Sequence, residues 1–276
     1  MTSDLHLHST VSDGILKPAD LVAQAYEAGI RILALTDHDS TDGINEATEK
    51  TQEYPDLILI PGVELSTDTN DGEIHILGYF LDIKNKDLQA KLEEFRSDRL
   101  GRAQSIVEKL NHLGFSVEWD LVKEIAGDGS VGRPHIAEAL LQNGHVESIK
   151  EAFDKFIGRN GPAYSERRKM EPSEAVNLIT TYSGIPILAH PREVNNLENL
   201  LPDLVDNGLK GMEVYYGLYS EEERLGYLNL CNKFDLLPTG GSDYHGPGRA
   251  AECDLGGSNT AEHIGSDLIQ MHHDST

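Results

Sequence analysis

Seven short apolar runs recur along the chain, most of them separated by amphipathic stretches, and few architectures accept that rhythm. The runs lie around Leu5, at RILALT from Arg31, LILIPGVEL from Leu57, IHILGYF from Ile74, IPILAH from Ile185, LKGMEVYY from Leu209 and LLPTGGSD from Leu236. Continuous apolar runs of this length, bounded by turn residues, suit strands buried on both faces. Helical patterns fill most intervals: Pro18 to Ala28, Thr41 to Glu53, Pro172 to Tyr182, and Ser220 to Phe234 with Ser220 as N-cap. Strand and helix alternating in this way predict an α/β chain built on a parallel sheet or barrel.

One block breaks the rhythm. From about 85 to 168 the pattern is almost wholly helical, opening with a long charged stretch from Lys86 to Leu113 and continuing through Trp119 to Ile125, His135 to Leu141 and Ser148 to Phe156. The expected organisation is a barrel made of residues 1–84 and 169–276, with residues 85–168 inserted as a helical subdomain. Inserts between barrel elements sit over the mouth where function is carried, so this one is expected to act as a cap or substrate module.

Charge and composition remove several classes of function. The formal charge of −24, from 47 acidic and 23 basic residues, opposes binding to a long nucleic acid, which relies on basic surface. No run of eighteen apolar residues is present to span a bilayer. The start, MTSDLHLHS, has neither a basic nor an apolar signal region, and a cytoplasmic location is expected. Cys231 and Cys253 form no CxxC pair and suggest neither a disulfide framework nor a zinc knuckle. Oligomeric state leaves no trace in the sequence.

Chemistry collects at the ends of the runs. His6, His8, Asp13, His38, Glu64, His75, His190, Asp243 and His245 all fall there, where parallel-barrel enzymes gather catalytic groups. His6 and His8, two apart in a strand, face one way while Leu5 and Leu7 face the other. Any one of these residues alone would be a cap or a hydrogen-bonded structural group. Nine titratable groups at one end of a barrel are costly to desolvate unless cations neutralise them. Two or three divalent ions would meet that need, with Glu64 and Asp243 placed to bridge. Imidazole and carboxylate donors without cysteine suit manganese, zinc or iron.

The strings DLHLHSTVSDG, LTDHD, PGVELS, HILGY, LAHP and GGSDYH together resemble the motif set of the PHP (polymerase and histidinol phosphatase) superfamily, in the family's order, from about residue 3 to 257. The closer likeness is to stand-alone phosphoesterases that also carry GRPHIA (132–137) and PAY (162–164) in an insert. The resemblance implies a distorted (β/α)7 TIM-like barrel, the PHP fold, with a trinuclear metal site. It assigns His6 and His8 to one metal, Asp13, His38 and His245 to a second, His75 and His190 to a third, and Glu64 and Asp243 to shared positions. Some relatives place a histidine where this chain has Asp13, a departure that favours the nucleotide-type branch.

A site of that kind lowers the pKa of a bridging water and stabilises charge on both oxygens of an in-line displacement. The expected reaction is hydrolysis of a phosphomonoester of a small nucleotide by a metal-bridging hydroxide, with no side-chain nucleophile and with Glu64, Asp243 and His190 as catalytic residues. Substrate would be gripped by Arg133 and His135 of GRPHIA at a helix start, by Arg192 directly after His190, and by Tyr244 between Asp243 and His245. Asp37 and Asp39 either orient His38 or, for Asp39, cap the next helix. Arg167, Arg168 and Lys169 suit a solvated face, His112, His145 and His263 lack a partner motif, and the terminal MHHDST is expected to be disordered.

Two separated arginines beside a metal cluster suit a substrate with two phosphates, and the insert resembles that of the branch acting on nucleoside 3',5'-bisphosphates, which makes such a bisphosphate the expected substrate. A 5'-to-3' exonuclease on short oligonucleotides, a histidinol phosphatase and a cyclic-phosphodiester hydrolase are the alternatives. An amidohydrolase would bridge its metals with a carboxylated lysine where this chain offers Glu64. A non-catalytic metal-binding module would have no reason to keep all nine ligands.

Overall fold

The computed structural model describes residues 2–69, 72–127, 129–166, 170–217, 219–247, 253–258 and 260–275. Every apolar run contributes a strand: β1 (Thr2–Asp4), β2 (Ile30–Leu35), β3 (Ile58–Asp68), β4 (Glu73–Tyr79), β5 (Ile185–Leu188), β6 (Gly211–Tyr216) and β7 (Leu237–Gly241). They form one seven-stranded sheet in chain order. Its two ends approach each other through a hydrogen bond from Leu5 N to Gly240 O of 3.2 Å, so the barrel is nearly closed.

The sheet is mixed, which corrects the expectation of parallel strands throughout. β4 runs antiparallel to both β3 and β5, whereas β1–β2, β2–β3, β5–β6 and β6–β7 are parallel. The cause is the length of one connection. A parallel crossover takes a dozen residues or more, and only four separate Asp68 from Glu73, so the chain turns back as a hairpin. Thr69 N donates to Gly72 O across that turn, at 2.9 Å.

Six helices pack around the strands: α1 (Pro18–Glu27) and α2 (Ile44–Thr51), and, after the insert, α7 (Pro172–Thr181), α8 (Leu197–Asp206), α9 (Glu221–Phe234) and α10 (Glu262–Ser275). Ser220 caps α9, accepting from Glu223 N, as its sequence position predicts. α10 corrects the expectation of a disordered tail, because helix continues through Ser275. Ile264 and Leu268 bury its first turns against Leu5, Ile32 and Ile60, and the polar last turns propagate from that anchor. There His272 stacks on Phe80, with ring centroids 4.2 Å apart.

Between β4 and α7 lie α3 (Lys86–His112), α4 (Trp119–Ala126), α5 (Arg133–Gln142) and α6 (Ile149–Ala152), the last running into a π-helical turn at Phe153–Ile157. Ile106, Leu110, Val122, Ile136, Leu140 and Ile157 give these helices a core of their own. The charged stretch is one amphipathic helix that serves two cores. Its first half sends Leu88 and Leu92 into the cluster around Val63, Ile76 and Ile179, and its second half faces the insert. Burying each of those leucines is worth about 2 kcal/mol, which fixes α3 to the barrel. The basic run Arg167, Arg168 and Lys169 lies outside the described residues. Cys231 is buried and Cys253 half-buried, both as free thiols. Among the described residues, no helix is long and apolar enough to cross a membrane.

Candidate active site

Strand alternation delivers the histidines. His6 and His8 follow β1 in extended chain and are fully buried, while Leu5 and Leu7 enter two separate apolar clusters behind them. His38 follows β2 and bridges to Glu64 on β3, where Asp39 N donates to Glu64 O at 3.0 Å. His190 follows β5, and Asp243 and His245 follow β7. Because β4 is antiparallel, its beginning lies at the same end of the barrel, and there it carries His75. Three backbone positions at the site have positive φ, +53° at Asp39 and Asp243 and +25° at His190, conformations held by the surrounding packing. Gly241 must be glycine for a related reason: a β-carbon there would stand 2.4 Å from His6 Cβ.

All nine predicted ligands converge. Among the described residues, three groups place donor atoms close enough to share an ion: His8, Asp13, His38 and His245; His6, His8, Glu64 and Asp243; and His38, Glu64 and His75. In the second group His6 Nε2 lies 3.4 Å from Glu64 Oε2 and 3.3 Å from Asp243 Oδ1, and His8 Nε2 lies 3.2 and 3.0 Å from the same atoms. His75 Nδ1, His190 Nε2 and Glu64 Oε1 stand 2.8–3.2 Å from one another. Donors bound to one ion at about 2.1 Å sit roughly 3.0–3.4 Å apart, so these separations fit a shared cation.

Unspent polar atoms give the same answer independently. His6 Nε2, His8 Nε2, Asp13 Oδ1, His38 Nδ1 and Asp243 Oδ1 are buried without a hydrogen-bond partner. Such atoms are costly unless something binds them, and each of these faces the cluster. His8 and His38 each appear in two groups, and a neutral imidazole has one free lone pair, so each can serve one ion at a time.

The protonation pattern shows the same crowding. Burial lowers the pKa of His8, but the Asp243 and Glu64 carboxylates outweigh it and push it up to about 10. His6 is likewise held well above its ordinary value by Asp243, Glu213 and Glu64, against burial. Burial raises Glu64, yet His38, His75 and His6 hold it well below the usual carboxylate range. His38 goes the other way, down to about 4, because burial and the nearby Arg99 charge exceed the pull of Glu64 and Asp13. Protons on His6 and His8 do for the carboxylates what a divalent ion would do on replacing them.

The residues that hold the ligands were the harder ones to find. Glu213, fully buried on β6, places Oε1 3.1 Å from His6 Nδ1 and accepts from His190 N through Oε2 at 2.7 Å. Tyr216 donates to Asp243 Oδ2 at 2.8 Å. Asp37 does not orient His38: it accepts from Ser9 N, Ser9 Oγ and Ser12 Oγ, tying down the loop after β1. Asp39 is not a helix cap, since Gly43 precedes α2; its carboxylate receives Arg99 Nε and Nη2 at 3.2 and 3.1 Å. A carboxylate inside an apolar strand was the available signal for Glu213, and the sequence reading passed over it.

A cavity of about 190 Å³ opens on the cluster. Asp13, His38, His75 and His245 form one wall, and the insert forms the other with Arg99, Arg102 and Arg133. Arg133 lines the cavity from the first turn of α5. It pairs with Glu73 and lies over the Phe153 ring, 5.3 Å from its centroid. Burial raises Glu73, but the Arg133 and Arg102 charges outweigh it and hold the carboxyl well below its usual range.

The other proposed grips lie elsewhere. His135 is not among the residues lining the cavity; its Nδ1 accepts from Gly132 N at 3.0 Å and closes the first turn of α5. Arg192 pairs with Glu223 at 2.8 Å and covers the Tyr219 ring, also away from the cavity lining. Tyr244 is a correction. It is 6% exposed and packs with Leu7, Leu21 and Leu35. Period-two alternation explains why: Asp243 and His245 face the cluster, so the residue between them faces the core.

Cation ligands on one wall and guanidinium groups on the other are what metal-assisted hydrolysis of a phosphate ester requires, which places the chain among metal-dependent phosphoesterases. Comparison with known proteins narrows that class. Residues 4–184 match the family model described as PHP domain. The chain is 36% identical over 248 residues to a 5'-3' exoribonuclease of Haemophilus influenzae, across 88% of this chain and 90% of that protein. It is 30% identical over 250 residues to a 3',5'-nucleoside bisphosphate phosphatase of Chromobacterium violaceum, across 89% and 87%. A solved structure from Bifidobacterium adolescentis, described as a metal-dependent phosphoesterase, superposes with a TM-score of 0.88 at 30% identity, covering 97% of this chain and 95% of that one. The chain belongs to the PHP domain family, and it is a hydrolase of phosphoester bonds.

Proposed function

We propose that this enzyme removes a phosphate from a small nucleotide carrying two phosphates, a nucleoside 3',5'-bisphosphate. The observation that carries the reading is the cavity with a cation-binding wall opposite three arginines. The cluster can take the scissile phosphate, and the arginines, paired here with Asp39 and Glu73, face the place of a second anionic group.

The ligand roles belong to the same proposal. His6 and His8 would hold one ion, Asp13, His38 and His245 a second, and His75 and His190 a third, with Glu64 and Asp243 shared. Divalent ions of manganese, zinc or iron, when bound, activate water and neutralise charge on the attacking and leaving oxygens. The protein's own part is placement. Glu213 orients His6 and the His190 backbone, Tyr216 fixes Asp243, and Asp39 aims Arg99. We assign Glu64, Asp243 and His190 to catalysis as members of the cluster on which the cavity opens. The helical insert, residues 85–168, acts as the substrate module and keeps bulk water from the cavity.

A 5'-to-3' exonuclease on short oligonucleotides is the second reading. It is supported by the identity to the Haemophilus exoribonuclease and by a second cleft of about 520 Å³, whose lining mixes Lys17 and Arg96 with Asp42, Glu46 and Glu93. Both clefts use α3 and the segment before α5, so a following nucleotide would have a place next to the first. The net charge of −24 opposes any long polyanion. The test is turnover with Mn2+ added, read as inorganic phosphate release from adenosine 3',5'-bisphosphate and histidinol phosphate and as mononucleotide release from a 5'-phosphorylated trinucleotide. The bisphosphate should give the highest kcat/KM. Turnover confined to the trinucleotide would transfer the assignment to the exonuclease, and turnover of histidinol phosphate alone would end both.

A further inference from the structure

Two of the three cavity arginines share one carboxylate that belongs to the protein, Glu73. Glu73 opens β4 two residues before His75, so both side chains face the cavity. Its Oε1 lies 2.7 Å from Arg102 Nη2 and its Oε2 pairs with Arg133 Nη2. A carboxylate across two guanidinium groups occupies them as two phosphate oxygens would. Arg102 is held in this pairing with its side chain only 8% exposed. Arg99 is held differently: Asp39 takes its Nε and Nη2 in a forked arrangement and Ser66 also accepts from Nη2.

We propose that Glu73 is a built-in competitor for the anion site, holding Arg102 and Arg133 until a substrate phosphate displaces it. The consequence is selectivity. A ligand also anchored at the cluster can pay for displacing the carboxylate, whereas a lone anion such as inorganic phosphate gains too little. Product phosphate then leaves readily. This inference rests on the reading that the cavity takes a phosphorylated substrate, but its test does not depend on which one.

Inorganic phosphate is titrated calorimetrically into the Mn2+-loaded wild-type protein, E73Q and E73A, and into E73Q carrying Arg102→Ala as well. Circular dichroism melting checks that each variant is folded, and E73A stands in where E73Q is not. Removing one negative charge about 4 Å from the site should tighten phosphate binding roughly tenfold or more and lower its inhibition constant in parallel. The added Arg102→Ala should cancel the gain. Equal or weaker binding by both Glu73 variants would overturn the proposal and leave Glu73 as a strut that positions the arginines. A gain that survives Arg102→Ala would overturn it too, because the phosphate would be binding elsewhere. If the wild type hydrolyses no nucleotide, the substrate reading falls while the titration still decides the role of Glu73.

Discussion

Glu213→Gln separates a positioning role from a merely structural one. Both oxygens of Glu213 are committed, one to the His6 ring and one to the His190 backbone N–H, and the side chain is fully buried. Glutamine preserves the shape but has one acceptor where glutamate has two. If its carbonyl keeps His190 N, its NH2 meets His6 Nδ1, forcing that nitrogen to accept and moving the ring proton to Nε2, the atom aimed at the cluster. If it flips, two N–H groups confront each other at His190. In the first case the wrong tautomer must be reversed before His6 can ligate, and loss of such an outer partner weakens metal binding about 10–100-fold, or roughly 1.4–2.8 kcal/mol. In the second, an unsatisfied buried N–H costs about 1–3 kcal/mol of stability. The assay is calorimetric titration of Mn2+ into chelator-stripped wild type and E213Q, with melting temperatures measured in parallel. Weakened Mn2+ binding, with activity recovered at excess Mn2+, is the expected result. Wild-type affinity in a variant that is only less stable would refute the tautomer argument.

Three further outcomes follow from particular contacts. Arg99→Ala should lower kcat/KM about 10–100-fold, chiefly through KM, because it removes a charged donor from the cavity; it should also reduce stability by several kcal/mol, since the buried Asp39 carboxylate loses the Arg99 charge. Tyr244→Phe should leave steady-state kinetics unchanged, and Tyr244→Ala should cost about 3 kcal/mol in a denaturant melt while the folded fraction keeps its KM. Burial pushes the Cys231 thiol up to about 12, so at pH 8 a thiol-titrating disulfide reagent should label half-buried Cys253 readily and reach Cys231 only in denaturant.

The parts of the site that were legible in the sequence are those whose chemistry repeats at strand ends. Nine imidazoles and carboxylates at one end of seven apolar runs leave few solutions, and all nine do meet. The antiparallel β4 was legible as well, had the four-residue connection after Asp68 been weighed against the length a crossover needs. Tyr244 illustrates a subtler loss. The alternation used to pair His6 with His8 applies equally to Asp243, Tyr244 and His245, and it sends the tyrosine to the core.

The arginine wall was hidden for a different physical reason. A long charged helix suits a solvated surface, and Arg99 and Arg102 look ordinary there. Yet the apolar stripe of α3 runs through Leu88, Leu92, Phe95, Ala103, Ile106 and Leu110, and the two arginines occupy the gap in it. A positive charge on the buried face of an amphipathic helix must find a countercharge or a ligand. Asp39 and Glu73 supply the countercharge here, and neither can be paired with α3 from sequence, because the contacts span about sixty and about thirty residues. Only the folding of the insert onto the barrel brings them together. The proposed anion site therefore forms only when two separately cored parts of the chain dock, whereas the proposed cation ligands need the barrel alone. Substitutions that loosen that docking, at Leu88 or Leu92, should weaken phosphate binding before they weaken metal binding. Parallel titrations of the two ions in Leu92→Ala would measure that order, and equal losses would mean that insert and barrel yield as one body.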